Sequence, residues 1–444
     1  MARRLQWRAL MWKALLIICG VASAADALAL QPLDEFLAGA RTSSPDNLEA
    51  RALRTQSGAE ATSALGRALP GVELRGTYTR NEFESTLELP AQGGGLPSRV
   101  TVVPKDQLDA VATLDVPLVD LSAWARIAAS RTSARAAGSE AAATDLRVQS
   151  AVAQDYHQLV ANLALLGATR RSLAVAREGL RIAESRHGAG AVAPLDVDRA
   201  RAEVERNVQQ LASVELDVSV VARSLESATG LTPQLDGEVS LADDLHEEPP
   251  LETFRPADER IPRVAAAVQG RAAADERARA QRLSLAPRLS GVVSQRWTDA
   301  EGFVGRDAWW QAVIGLTWTF DLTTLGDIRA QGAAAAAARA REQRERLAAH
   351  DDIHRAWMAV RTNVARSRSA EVQAEVSARA AERALSRYQA GEAAQLDLLQ
   401  AQRDAFAAEA ARIQAYADLV NARAQLRLAA GESLLLAATE EGTR

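Results

Sequence analysis

Ser185-Arg186-His187-Gly188-Ala189-Gly190, followed by Leu195-Asp196-Val197 and Ala200, returns later in the chain as Ser386-Arg387-Tyr388-Gln389-Ala390-Gly391, Leu396-Asp397-Leu398 and Ala401. Every pair stands 201 positions apart (386 − 185 = 201). Without a gap, the same register carries Leu225 to Leu426 and Gly230 to Gly431 on one side, and Asp120-Leu121 to Asp321-Leu322 and Ile127 to Ile328 on the other. Chance does not hold one register over about a hundred residues, so the chain is two copies of one unit. Further upstream, Pro45 and Pro70 match Pro262 and Pro287 at 217 (262 − 45 = 217), which places 217 − 201 = 16 extra residues between Pro70 and Asp120.

Each copy repeats one order of elements. A helical stretch (Pro45 to Leu69; Pro262 to Ala286) runs to a proline, and two extended segments follow. In the first copy these are Gly71 to Leu89 and Arg99 to Val119, a hairpin over 71–119 whose turn is Pro90 to Pro97 with its three glycines. In the second they are Arg288 to Trp297 and Trp309 to Asp321, a hairpin over 288–321. Trp310, Ala312, Ile314, Leu316, Trp318 and Phe320 alternate with Gln311, Gly315, Thr317 and Thr319. An apolar face backed by a polar one, ending in aromatics, is how a transmembrane barrel strand reads. An ordinary half-buried sheet gives the same alternation, and two hairpins cannot close a barrel, so the membrane reading requires an oligomer.

Behind each hairpin comes a rod. From about Ala123 to Arg186, and from about Gly326 to Arg387, proline is absent and glycine rare, while Ala, Arg, Glu, Gln and Leu dominate. We expect long helices over 123–187 and 326–388, each roughly 90–100 Å at about 1.5 Å per residue. Patterns this long without a break point to coiled coil. Their core positions are largely alanine, which lets helices approach closely and leaves little room for a cofactor. Turns around Gly188 to Ala193 and Gln389 to Ala394 end the rods, and returning helices are expected over 194–229 and 395–430. Pro194 suits a first helical turn. Asp196 and Asp397 then fall where a carboxylate meets the positive end of the helix dipole.

The N-terminus sets a compartment. Arg3, Arg4, Arg8 and Lys13 precede the apolar stretch Ala14 to Val21, and Ala22-Ser23-Ala24 offers a small-residue cleavage site, so residues 1–24 read as a secretory signal. Cys19 is the only cysteine and lies within it, preceded by Ile18, unlike a lipoprotein signal. The mature chain would hold no disulfide, thiol nucleophile or thiolate metal site. Removing four positive charges and no negative ones takes the formal charge from −5 to −9, which argues against a nucleic-acid partner. No later apolar run approaches the roughly 18 residues of a membrane helix, so entry into a membrane would require a closed β-barrel.

Arg387-Tyr388-Gln389-Ala390-Gly391, then Leu396-Asp397-Leu398-Leu399-Gln400-Ala401-Gln402 and the closing Leu428-Ala429-Ala430-Gly431, resembles the repeat signature of TolC-like outer-membrane efflux proteins. The first copy resembles it too. The resemblance implies a mainly α fold with β: a long α-helical coiled-coil barrel below a transmembrane β-barrel, two hairpins per subunit, in a homotrimer. It implies an outer-membrane channel, seated in outer-membrane lipid with a large periplasmic portion, that passively conducts substrates. Its partners would be a periplasmic adaptor and an inner-membrane transporter, proton-driven or of ATP-binding type, in a tripartite efflux or type I secretion system. Residues 25–230 and 256–431 become the two repeats, 231–255 an equatorial linker and 432–444 a tail. Carried over by position, Asp196, Tyr388 and Asp397 match the periplasmic aperture, and the turns with Gly190, Leu195, Gly391 and Leu396 match the adaptor-docking tips. In two places the chain departs from the family: Ala393 stands where an arginine of the lock would fall, and Gln400 where a second acidic residue would fall.

Two rival readings remain at this level. His350-Asp351-Asp352-Ile353-His354 puts two histidines on one helix face, but lacks a third ligand nearby and a glutamate beside the first histidine, so it reads as a solvated face rather than a metal centre. No nucleophile elbow, phosphate loop or dinucleotide fingerprint is present, so we expect no enzyme, cofactor or metal. A soluble periplasmic coiled-coil scaffold or adaptor would use the same rods and turns, without needing paired hairpins with outward aromatics.

Overall fold

The computed structural model of the chain describes residues 30–89, 98–235, 243–300 and 306–435. The signal, Cys19 and the glycine turn at 90–97 lie outside those residues. In the first copy the elements are α1 (Leu33–Ser43), α2 (Pro45–Gly66), β1 (Gly71–Arg80), β2 (Ser85–Leu89), β3 (Ser98–Val103), β4 (Asp106–Val119), α3 (Leu121–Gly188) and α4 (Pro194–Thr229). In the second, 3-10 turns at Leu251–Phe254 and Asp258–Arg260 precede α5 (Pro262–Leu283), β5 (Arg288–Thr298), β6 (Ala308–Thr317), α6 (Leu322–Ala390) and α7 (Gln395–Ala429).

The long helices begin at matching caps. Asp120 and Asp321, 201 apart, each accept a backbone bond three residues on, from Ala123 N at 2.9 Å and Thr324 N at 2.7 Å. This satisfies one of the orphan donors of a helix start. With 68 and 69 residues, α3 and α6 are each about 100 Å long. α3 does contain an 18-residue window apolar enough to cross a membrane, contrary to the expectation from uninterrupted runs, but 56% of that window is buried by packing. Val148, Val152, Leu159 and Leu163 close there on Phe36 and Leu37 of α1 and on Val218 and Leu225 of α4. The second copy matches this with Ile353, Val360 and Val364 of α6 against Leu419 and Leu426 of α7. Ala161 and Ala168 of α3 meet Ile413 and Ala417 of α7, joining the copies.

Two joints lie at the waist. α4 ends at Gly230 (φ +72°), where a Cβ would sit 3.2 Å from Ser43 Oγ just before α2; α7 ends at Gly431 (φ +86°), where a Cβ would sit 2.8 Å from the Arg260 carbonyl just before α5. Glycine meets both demands, a left-handed backbone and a close approach. Residues 243–250 form a strap across α6 and α7. Trp357 Nε1 donates to Pro249 O at 2.9 Å, Arg368 Nη2 to Leu245 O at 3.0 Å, and Arg423 Nη2 to His246 O at 2.9 Å.

The strands form a four-stranded antiparallel sheet in the order β1-β4-β5-β6, and β2 and β3 pair separately beyond it. The continuous strands expected over 71–89 and 99–119 are therefore each broken. Pro104 has no N–H for a ladder, its carbonyl accepts from Asn81 Nδ2 at 2.8 Å, and Asn81 N donates to Lys105 O at 2.7 Å, which turns both segments. The strand expected to reach Asp321 ends at Thr317. Trp318 leaves the ladder to donate its indole N–H to Leu285 O at 3.0 Å, and Asp321 is taken by the cap of α6.

Register assigns the faces. Leu74 pairs with Ala112, Val293 with Ala312, Gly291 with Ile314 and Leu289 with Leu316, on one apolar face. Glu73 with Thr113, Thr113 with Ser294 and Ser294 with Gln311 lie on the other, together with the Asp109–Arg296 ion pair at 2.7 Å. β1 and β6 are the edges of the sheet.

Candidate functional site at the helix tips

The two turns between rods and returning helices are built alike. Gly190 (φ +74°) and Gly391 (φ +81°) occupy left-handed positions that favour glycine. Ala191 N donates to Arg186 O and Glu392 N to Arg387 O, both at 2.8 Å, so the last carbonyls of both helices are satisfied the same way. Leu195 and Leu396, one residue before each first-turn aspartate, are 55% and 56% exposed. Two leucines matched in position and left open to water are an exposed apolar pair.

The three aperture residues are not joined to one another within the chain. Asp196 pairs with Arg199 of its own helix at 3.3 Å. Asp397 is exposed and has no hydrogen-bond or ion-pair partner among the described residues. Tyr388 is 3% exposed, and its hydroxyl finds no partner among the described residues. What holds Tyr388 is Arg186 of the first copy. Its Nη1 donates to the Tyr388 carbonyl at 2.7 Å, and its guanidinium lies 4.8 Å from the centre of the ring. Gln400 donates to Asp404 at 2.9 Å, one turn along its own helix.

A second bridge joins the two returning helices. Glu203 of α4 is buried, and Arg403 of α7 reaches its Oε2 with Nε at 2.9 Å and Nη2 at 2.6 Å. Arg206 and Asn207 bond the other oxygen, so the carboxylate is fully engaged. Arg186 and Arg403 thus both tie one copy's tip to the other's. Sequence reasoning passed over both, and the available signal was Glu203 in the stripe Ala200, Val204, Asn207, where a buried charge needs a partner.

Elsewhere, His350 Nε2 approaches Asp258 Oδ1 at 3.3 Å and His354 is exposed, so the pair serves different surroundings. Asp243, Asp244 and His246 bring three potential ligand atoms within 4.8 Å of one another. Arg423 already fills that cluster, with Asp243 at 3.2 Å and Glu248 at 2.5 Å, so its donors fit an internal ion-pair network.

Long rods, matched tips and an edge-open sheet with one apolar face are thus in place. A family model described as outer membrane efflux protein matches residues 37–231 and 255–432. The chain belongs to that family. No curated protein compared with it matches. Among solved structures, the efflux-family chain is similar to the Campylobacter jejuni CmeC outer membrane channel, at 18% identity and a TM-score of 0.78 over 93% of this chain and 89% of that one. It is also similar to the outer-membrane channel OprN, at 20% identity and 0.75 over 91% and 90%. The outer membrane protein VceC from Vibrio cholerae gives 17% and 0.76 over 90% and 96%. At these identities the likeness is one of fold: a TolC-like helical barrel with β-barrel strands.

Proposed function

We propose that three copies of this efflux-family chain close one channel, which passively carries solutes from an inner-membrane transporter and a periplasmic adaptor to the exterior. The observation that carries the reading is the sheet. Its edges β1 and β6 are each ten residues long, about the length of a transmembrane strand, and one face is apolar while the other is polar. Four strands per chain make twelve in a trimer, and closure removes the unpaired edges.

In this reading residues 1–24 are cleaved on export, 231–255 link the repeats at the waist, and adaptor hairpins seat against the tips at Gly190, Leu195, Gly391 and Leu396. Asp196, Tyr388 and Asp397 border the aperture. Arg186 takes over the holding role of the arginine absent at Ala393, since it ties the second tip through Tyr388.

Membrane fractionation and planar-bilayer recording test the reading. We expect outer-membrane sedimentation, a trimer that resists mild denaturation, and discrete conductance steps. A monomer in the soluble periplasmic extract would replace the channel by the scaffold alternative. Asp397→Ala is expected to reduce cation selectivity, because three unpaired carboxylates at a constriction favour cations. Unchanged selectivity would remove Asp397 from the aperture.

A further inference from the structure

The two waist joints come from the same repeat yet are lined differently. Where α7 meets α5, α3 and α6 flank a cavity of about 570 Å³, within the range of small-molecule sites. Arg147 of α3, Arg263 of α5 and Arg355 of α6 line it together with apolar Leu146, Ile261 and Leu428. Asp352 is shared by Arg263 at 2.6 Å and Arg355 at 2.7 Å. Arg147 donates to the Thr144 hydroxyl at 2.8 Å and meets no carboxylate among the described residues. With Glu140 also in the lining, three arginines face two acids, 3 − 2 = +1 per chain.

The repeat itself shows that the fold does not require these cations. At the other joint, position 263 becomes Asp46 (263 − 217), 355 becomes Gln154 (355 − 201) and 147 becomes Ala348 (147 + 201). All three arginines are confined to one of two equivalent places.

The direction the cavity faces follows from α6. Asp352, Arg355 and Ala359 recur at helical spacing on the cavity side, while Trp357 and Arg368, which hold the strap, lie on the opposite side. In a closed tunnel the strap lies outside, because a strap within the bore would obstruct it. The cavity therefore opens to the bore.

We propose that this cavity is a transit site for amphipathic organic anions, with the apolar body against Leu146 and Leu428 and the carboxylate or sulfonate on Arg147 and Arg355. This deepens the channel reading and rests on it for the direction the site faces. Anilinonaphthalene sulfonate, whose fluorescence rises in an apolar site, is the probe, titrated into the full-length detergent-solubilised protein. Saturable binding is expected, weakened about tenfold or more in the Arg147→Gln/Arg355→Gln double variant and retained in Arg147→Lys/Arg355→Lys. Arg341→Gln, the counterpart of Glu140 at the other joint, leaves it unchanged, and binding of the cation ethidium is not weakened by the double variant. Arg147→Gln alone, which severs no ion pair, decides the matter if the double variant fails to assemble. Dye affinity within about twofold of wild type in an intact double variant would overturn the proposal. Dye binding without conductance would instead strike the channel reading and leave the site standing.

Discussion

A single arginine on the sheet separates a membrane barrel from a soluble sheet. Ile314 is 74% exposed on the apolar face in register with Gly291, and its neighbour Val313 points to the polar face in register with Val292, beside Asp115. If the apolar face meets lipid, Ile314→Arg costs about 2–4 kcal/mol per chain near mid-bilayer. A trimer suffers this three times, about 6–12 kcal/mol, which at about 1.4 kcal/mol per factor of ten shifts assembly by more than four orders of magnitude. Val313→Arg places the same charge one residue away, in a watered lumen near a carboxylate, and is expected to assemble normally. The assay is the yield of denaturant-resistant oligomer extracted from outer membranes after matched expression. Equal yields for Ile314→Arg and Val313→Arg would refute the lipid-facing assignment, and with it the argument that the exposed aromatics and aliphatics are held by a bilayer.

At the tips, Arg186→Ala removes a charged hydrogen bond and a ring contact, together about 2–3 kcal/mol, and should raise mean single-channel conductance; Arg186→Lys should fall between, because a lysine keeps the charge but not the flat stacking surface. Gly431→Ala meets both a left-handed backbone and a carbonyl 2.8 Å away, so its melting temperature should drop well below that of Gly190→Ala, which has a similar φ but open space around it. His157 is buried, and loss of water around the charged ring pushes its pKa down to about 4 from the ordinary 6.5. The stability it contributes is therefore complete above about pH 6.5 and drains away as pH falls towards 4, by about 3 kcal/mol in all. His157→Leu should lose less melting temperature than wild type between those limits.

The order of elements was legible because it is written twice. One register runs through both rods and both returning helices, and the caps at Asp120 and Asp321 stand in it to the residue. The break in the first hairpin was not legible as strand alternation, because Pro104 acts through a hydrogen bond from Asn81, more than twenty residues away. The end of β6 misled for the opposite reason. Trp318 and Phe320 continue the alternation after the backbone has left the ladder. At the tips, sequence supplied the turns and the aspartates but not their partners. Arg186 with Tyr388, and Arg403 with Glu203, meet only because the two copies pack side by side, and no local pattern encodes a pairing some two hundred residues long.

The sixteen residues that the first copy holds in excess lie in and around β2 and β3, at the end of the sheet farthest from the helices. Only the first copy's hairpin is lengthened by a second pair of strands. A trimer of this chain would carry three copies of the β2–β3 hairpin, set 120° apart. That pair shares no ladder with the four-stranded sheet. Duplication gave the chain two versions of one hairpin, and lengthening one of them left a pair of strands free to change without disturbing the ladder that the four-stranded sheet depends on.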